Sequence, residues 1–548
     1  MTEQTETTAY LSMEFAISDK IPNYAGGLGV LAADLMLSAC DLKLPVVGVT
    51  LLYHQNDDPK LAFPAEKHFH KCKPTITVQI ENRKVKLIIW KKTLHCTNRG
   101  AVPVYFLSSY HPDNQPWDRD LTKNLYPGHA YTRLGQETIL GIGAIKALRE
   151  LGYDVRHYHM NEGHSALAAL KRLQELNKDR EAVRQEFSFT THTPVSSGHD
   201  YFDYELANNM ISRYLPENIR EIAGTDSLGM TELAMRLSRH SNSVSLKHKE
   251  VCETMFPKQT FENITNGIYH PRWVGQHIKT LLDDQLPGWQ ENPDNLDRAI
   301  HEITDKDVLQ AKQKQKKELI EWLNSHQEYL AVNAPTDENL FDKKCLTIGF
   351  ARRMVPYKRT ALIFRDLKRL RETAGKKIQL VFAGNVYEND TYSQEVFARI
   401  KQAKEELRDD IKIAFIPYYN LAVAKRLTQG CDIWLNNPVP GREASGTSGM
   451  KAALNAGLNL SAMDGWWIEA FRSDPKSGWA FGEYQDKPDR DESDFTQLLA
   501  CLSEAINCFY NRPEEWAERM KRSIALISFF NTHRAIQEYT SKLWNNSI

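Results

Sequence analysis

Leu346-Thr347-Ile348-Gly349-Phe350, Ile378-Gln379-Leu380-Val381-Phe382-Ala383, Ile411-Lys412-Ile413-Ala414-Phe415-Ile416 and Ile433-Trp434-Leu435 are short apolar runs separated by longer amphipathic stretches. Each run reads as a strand. The intervening stretches predict helices near Ala361 to Glu372, Tyr392 to Leu407 and Leu421 to Leu427. Strands alternating with amphipathic helices build a parallel sheet with helices on both faces.

The N-terminal half carries similar ingredients in a less regular order. Val46 to Leu52, Lys86 to Trp90 and Val104 to Leu107 read as strands, and a long helix covers Arg133 to Leu151, ending near Gly152. The segment around Asn263 to Trp273, which contains TNGIYHPRW, reads as a hinge. The charged stretch Ala311 to Gln327 reads as a solvated helix without a function. The expectation is an α/β protein with two Rossmann-like, doubly wound domains facing across a cleft. Residues 1–265 form the first, 266–525 the second, and 526–548 a C-terminal helix packing back on the first. Ligands of such sheets bind at strand carboxyl ends, where loops lead into helices.

The chain has 548 residues, too many for one ordinary core. Its 69 basic and 70 acidic residues leave no strong field for nucleic acid or an anionic membrane. The eight cysteines form no CxxC and read as reduced thiols of a cytoplasmic protein. The N-terminus lacks the pattern of a signal peptide, and no apolar run nears the roughly 20 residues of a membrane helix.

Three loops could hold anions. Asn23-Tyr24-Ala25-Gly26-Gly27-Leu28-Gly29 leads into a helix beginning near Val30, and its backbone N–H groups suit a phosphate. A tight turn is the alternative. Phe350 to Arg359, FARRMVPYKR, follows a strand directly and places Arg352, Arg353, Lys358 and Arg359 around a turn fixed by Pro356. Here the alternative is a solvated basic loop. Gly441 to Lys451, GREASGTSGMK, is a small-residue loop entering a helix, and Lys451 is flanked by Met450, Ala452, Ala453 and Leu454. A lysine in apolar surroundings loses its proton more easily and can form a Schiff base.

His159 to His164, HMNEGH, and Thr190 to Pro194, TTHTP, each follow a strand. The spacing of His159 and His164 does not stack two imidazoles on one helix face, so metal binding is not expected. These histidines read as partners of a sugar or as rings satisfied in the core. Of the adjacent Trp466 and Trp467, at least one is expected to pack inside.

Together these motifs resemble the glycogen (α-glucan) phosphorylase family, in its shorter bacterial and archaeal form. The motifs in order are YLSMEF (Tyr10 to Phe15), GGLG (Gly26 to Gly29), NEGHSAL (Asn161 to Leu167), TTHTP, TNGI (Thr265 to Ile268), RRMVPYKR, AGN (Ala383 to Asn385) and EASGTSGMK (Glu443 to Lys451). The last is highly specific; GGLG is not. The resemblance implies the GT-B-type glycosyltransferase fold and a cytoplasmic enzyme of glycogen metabolism. It would be an α-1,4-glucan phosphorylase, releasing α-D-glucose 1-phosphate with inorganic phosphate and retaining configuration.

The resemblance also implies pyridoxal 5'-phosphate in a Schiff base on Lys451. Thr447, Ser448 and Arg352 would hold its phosphate, with Tyr419, Trp273 and Gly27 as further neighbours. Arg353, Lys358 and the Gly27 amide would hold substrate phosphate. His192, Leu28, Asn266, Tyr357, Glu443, Ala444, Ser445 and Gly446 match positions that bind the transferred glucose. The cofactor phosphate would pass a proton to the glycosidic oxygen, and clustered cations would neutralise two touching phosphates. The family often forms dimers. Three positions depart from the animal enzymes: Ala16 replaces an aromatic, Arg352 a lysine and Ser448 a glycine. The regulatory segment that precedes YLSMEF in those enzymes is not expected. Two other readings remain: a nucleotide-sugar-dependent glucan synthase of the same fold, which needs no lysine at 451, and an inactive glucan-binding relative.

Overall fold

The computed structural model describes residues 6–55, 62–329, 340–387, 390–482 and 489–544. The chain forms two compact units. Unit 1 comprises Met1–Val244, Lys249–Thr265 and Thr532–Ile548; unit 2 comprises Ser245–His248 and Asn266–Asn531.

Unit 1 is built on a nine-stranded sheet. Its strands are β1 (Thr7–Ser12), β2 (Val46–Leu51), β3 (His70–Ile80), β4 (Arg83–His95), β5 (Ala101–Ser108), β6 (Val155–Asn161), β7 (Phe187–Thr190), β8 (His240–Ser243) and β9 (Glu262–Asn263). They are ordered β9-β8-β7-β6-β1-β2-β5-β4-β3. Pairing is parallel from β9 through β5, whereas β4 runs antiparallel to β5 and β3. Helix α1 (Gly27–Asp41) follows β1, and α2 (Ala130–Glu150) precedes β6. The predicted strand Lys86 to Trp90 is only the middle of β4. Basic residues at both ends of β4 hide the rest of it from an apolar-run reading.

One expectation about the cysteines is corrected. Cys40, near the end of α1, and Cys96, just after β4, are joined in a disulfide with Cα atoms 6.0 Å apart. Their sequence separation of 56 gave no sign of this. Only the sheet brings α1 against β4, where Leu35 and Ala39 share a core with Ile88 and Trp90. The other six cysteines are free.

The chain returns to unit 1 at Thr532. There Tyr539 and Trp544 pack edge-on against His159, and Tyr10 stacks on the same ring at 5.0 Å. His159 also lies 2.9 Å from Ser188 Oγ and 3.0 Å from Thr190 Oγ1, so it is a satisfied core ring.

Unit 2 contains α3 (Asp305–Ser325), β10 (Leu346–Ala351), α4 (Leu367–Ala374), β11 (Ile378–Ala383), α5 (Thr391–Glu406), β12 (Lys412–Ile416), α6 (Leu421–Gly430), β13 (Ile433–Asn436), α7 (Ser448–Leu454), β14 (Leu458–Ala462), α8 (Trp466–Ser473) and β15 (Gly478–Phe481). Its six strands are ordered β12-β11-β10-β13-β14-β15, all parallel. Helix α4 starts later than the predicted Ala361, because Asp366 caps it by accepting from the Arg369 N–H at 3.0 Å. Trp466 and Trp467 are both buried.

The reading of the α3 stretch as solvated is also corrected. Lys312, Gln315 and Lys316 are buried. The Lys312 ammonium donates to the carbonyls of Gln429 and Asn455, 2.9 and 3.0 Å away, near the ends of α6 and α7. Lys316 donates to the Cys345 carbonyl at 2.7 Å and pairs with the buried Asp432. Long stems cross the apolar layer and the cationic heads donate to backbone carbonyls, for Lys312 near helix ends. Lys316→Ala should therefore lower stability by about 3–5 kcal/mol, because Asp432 is left buried and uncompensated. Lys316→Met with Asp432→Asn should recover much of that loss in a denaturation experiment. Equal losses in both variants would show that packing, not charge, sets the cost.

Candidate active site

Where strand order reverses in a doubly wound sheet, the loops after neighbouring strands part and leave a crevice at the carboxyl edge. In unit 2 the reversal lies between β10 and β13. The loop after β10 carries Arg352 to Arg359, and the loop after β13 carries Glu443 to Thr447. Hydrogen bonds join the two loops. The Val439 N–H donates to the Tyr357 carbonyl at 2.7 Å, and the Asn437 side-chain amide donates to the Arg359 carbonyl at 2.7 Å. Arg359 reaches back to the carbonyls of Asn437 and Pro438, at 3.0 and 2.7 Å. Arg359 also pairs with Asp491 and Asp494, at 2.9 and 2.7 Å, so its guanidinium is spent apart from Glu443.

Glu443 is the centre of the crevice. Arg352 donates to both its oxygens, at 3.2 and 3.1 Å, and Lys358 donates to Oε1. Burial alone would raise this carboxyl, but the charges of Arg352 and Lys358 outweigh it and pull it down to about 2. Burial, with the charge of Arg352, brings the Lys358 ammonium down to about 8 against the pull of Glu443. Burial pushes the Tyr357 hydroxyl up to about 12, and Lys358 sits 4.6 Å from the centre of its ring. Arg353 is exposed.

Of the residues expected from sequence to bind glucose, Ala444, Ser445 and Gly446 share this loop with Glu443. The Ala444 carbonyl accepts from Ser245 Oγ at 2.6 Å, and the Ser445 carbonyl accepts from the Trp466 N–H at 2.9 Å. The buried Ser445 hydroxyl has no partner among the described residues. Gly446 has φ +91°, a conformation that favours glycine. Asn266 is buried, also in unit 2.

Lys451 lies in α7, 5% exposed, with its ammonium 3.8 Å from the centre of the Trp273 ring. Asn455 locks this pair: its amide donates to the carbonyls of Trp273, at 3.0 Å, and Lys451, at 2.8 Å. Thr447 precedes α7, and the Ser448 hydroxyl accepts from the Trp434 indole N–H at 3.1 Å. Tyr419 follows β12; its N–H donates to Asn385 Oδ1 at 2.8 Å, and burial pushes its hydroxyl up to about 12.

In unit 1 the strand order reverses between β1 and β6. The GGLG segment enters α1 at Gly27, earlier than the predicted Val30. The N–H groups of Ala25 and Gly26 do not await an anion: they donate to Glu14 Oε2 at 2.7 and 3.2 Å. Tyr126 holds the other Glu14 oxygen at 2.6 Å. Nothing lies within 4 Å of where a Gly27 side chain would start, and Leu28 is half-buried on the first turn. After β7, His192 Nε2 lies 2.7 Å from Asn161 Oδ1. Asn161 uses its NH₂ on Ser12 Oγ at 3.0 Å, so Oδ1 accepts and His192 Nε2 carries the proton. The His192 N–H donates to Glu162, as does the Thr193 hydroxyl at 3.0 Å.

Sequence reasoning assigned no role to Glu14, Asn161, Glu162, Asn455 or Asp464. Glu14, Asn161 and Glu162 lie in the YLSMEF and NEGHSAL stretches, at or just past the carboxyl ends of β1 and β6, and that position was the available signal. Asn455 gave none. Among the described residues no group of histidines, cysteines and carboxylates could hold a metal ion, and no helix is long and apolar enough to cross a membrane.

Residues 212–490 match the carbohydrate phosphorylase family. A maltodextrin phosphorylase of Thermococcus litoralis is 33% identical, over 99% of this chain and 71% of its own length. A glycogen phosphorylase of Aquifex aeolicus is 30% identical, over 98% of this chain and 86% of its own. One of Mycobacterium tuberculosis is 30% identical, over 95% and 68%.

Proposed function

Because this chain belongs to the carbohydrate phosphorylase family, we propose that it is an α-1,4-glucan phosphorylase carrying pyridoxal phosphate on Lys451. The observation that carries this reading is Lys451 itself, a buried primary amine over Trp273, next to the loop that holds Glu443. A nucleotide-sugar transferase has no use for an amine there.

The donor set fits the cofactor. A buried amine can bond an aldehyde, and Thr447, Ser448 and Arg352 can hold a phosphate. When bound, pyridoxal phosphate supplies a phosphate group that gives and takes a proton. The residues of the chain do the rest. Glu443 and the free Ser445 hydroxyl bind glucose hydroxyls in unit 2. Arg353 and Lys358 bind inorganic phosphate. Within unit 1, Asn161 fixes the orientation of the His192 ring, and the Gly27 amide can donate to an anion.

The bond from the terminal C1 to the glycosidic oxygen breaks, that oxygen gains a proton, and a phosphate oxygen bonds C1 on the same face. Positive charge develops on the sugar ring as the bond breaks, so fixed charges around phosphate matter more than a carboxylate pair. Glu443 keeps Arg352 and Lys358 compensated until an anion arrives.

The phosphate dependence should follow Lys358. Below pH 8 its ammonium is present; above, the proton leaves and with it the charge that phosphate needs. The KM for phosphate should therefore climb roughly tenfold per pH unit above 8. Lys358→Arg should push that rise to higher pH, since a guanidinium keeps its proton. A phosphate KM flat from neutral to strongly alkaline pH would remove Lys358 from the anion site.

The test of the function is twofold: pyridoxal phosphate content after reconstitution, and phosphate-dependent release of glucose 1-phosphate from maltodextrin. Both positive supports the reading. Cofactor absent and transfer from a nucleotide sugar present would replace it with a synthase. Neither activity would mark an inactive relative.

A further inference from the structure

We propose that Asp464 is a positioning residue that holds the 441–446 loop in the shape that binds the transferred sugar. The naming of that ligand as a glucosyl group rests on the phosphorylase reading; the grip on the loop does not.

Asp464 follows β14 and is 1% exposed. Its Oδ2 accepts from two successive amides of the neighbouring loop, the Arg442 N–H at 3.1 Å and the Glu443 N–H at 2.8 Å. Its Oδ1 accepts from the Gly465 N–H at 2.9 Å. The next residue, Trp466, donates its N–H to the Ser445 carbonyl at 2.9 Å. Between these contacts Gly465 adopts φ +52°, and a Cβ there would lie 2.3 Å from the Ser445 carbonyl oxygen. The turn after β14 thus runs its backbone along the loop too closely for any side chain.

Both ends of Glu443 are consequently held in place. Arg352 and Lys358 hold its carboxylate, and Asp464 holds its amide. A carboxylate is the group this place requires. Three N–H donors converge on it from two sides, and both oxygens are used. An asparagine would present an NH₂ to at least one of these donors and leave a buried amide unsatisfied. Asp464 does not itself donate to or accept from the side chains assigned to the sugar. It acts through the backbone of Arg442 and Glu443, so its loss should change sugar affinity while leaving the Lys451 region intact.

The experiment has two parts. In the first, Asp464→Asn is compared with the wild-type holoenzyme for glucose 1-phosphate KM, phosphate KM, kcat and pyridoxal content. The expected result is a rise of about tenfold in the glucose 1-phosphate KM, with phosphate KM and cofactor content little changed. An unchanged glucose 1-phosphate KM, or equal losses in every parameter, would overturn the proposal. In the second, amide hydrogen exchange is followed in the ligand-free wild type and on adding glucose 1-phosphate. The Arg442 and Glu443 amides should be protected before ligand is added. Free exchange until ligand binds would mean that the sugar, not Asp464, organises the loop. This second part decides the matter even if the variant does not fold. It also stands apart from the phosphorylase reading, which would fall if the wild type lacked phosphorolysis while these amides were protected.

Discussion

Lys451→Ala should abolish glucose 1-phosphate release, with a fall on the order of 10⁴-fold, the upper range for loss of general acid–base catalysis. Borohydride treatment of the wild type should leave a reduced pyridoxyl adduct on the peptide containing Lys451, and the variant should show none. The reason is local. The amine is 5% exposed and stands over the Trp273 ring, in a helix whose buried neighbours Met450, Ala452 and Ala453 offer no second nucleophile. Alanine would leave a gap above an indole that Asn455 continues to hold by its carbonyl. Residual noncovalent cofactor, held by Arg352 and the Thr447 hydroxyl, would appear as pyridoxal absorbance that dialysis removes. Full phosphorolysis in the variant would end the assignment of Lys451 and with it the reading of the site. Loss of activity without loss of trapped cofactor would place the essential amine elsewhere.

How much of this was legible beforehand depended on distance in sequence. The parallel sheet of unit 2 was readable because each strand is a short apolar run and each helix has its own periodicity. The loops carrying Arg352, Glu443 and Lys451 were readable for the same reason: each follows a recognisable strand, and strand ends are where ligands bind. What could not be read was who partners whom. Nothing in Arg352, Lys358 and Glu443 as letters says that one carboxylate holds both cations, because the loops meet only at the reversal between β10 and β13. Lys312 and Lys316 look solvated by composition, and only the packed structure shows their ammonium groups spent on carbonyls and on Asp432. Glu14 is the same lesson in unit 1. The loop that enters α1 reads as an anion cradle, but its Ala25 and Gly26 amides are already taken by a carboxylate of the chain itself. The Cys40–Cys96 pairing is likewise a product of α1 lying on β4.

Glu443→Ala should be the second most damaging change, and its damage should reach both substrates. Removing the carboxylate takes away a glucose partner and leaves Arg352 and Lys358 buried side by side without compensation. Breaking such a buried arrangement costs about 3–5 kcal/mol, so the variant should unfold at a clearly lower temperature. The electrostatic consequence is more diagnostic. Glu443 is the group that keeps the Lys358 ammonium from falling below about 8, since burial and Arg352 both push it down. Without it, Lys358 should be mostly neutral at pH 7, and the KM for phosphate should rise although Glu443 itself is assigned to the sugar. A variant that lost sugar affinity alone would show that Lys358 keeps its proton by other means. Glu443→Gln separates shape from charge: it retains an acceptor for the sugar and removes the negative charge, so the phosphate defect should persist while the sugar defect shrinks. The acid limb gives an independent check. With its pKa held down at about 2, the Glu443 carboxylate contributes stability above the ordinary carboxylate range, and that contribution is lost as pH falls toward 2. Glu443→Gln should lack this part of the acid loss, so its stability deficit relative to wild type should narrow between pH 5 and pH 2. A deficit that stayed constant over that range would mean the carboxylate is not held by Arg352 and Lys358 in solution.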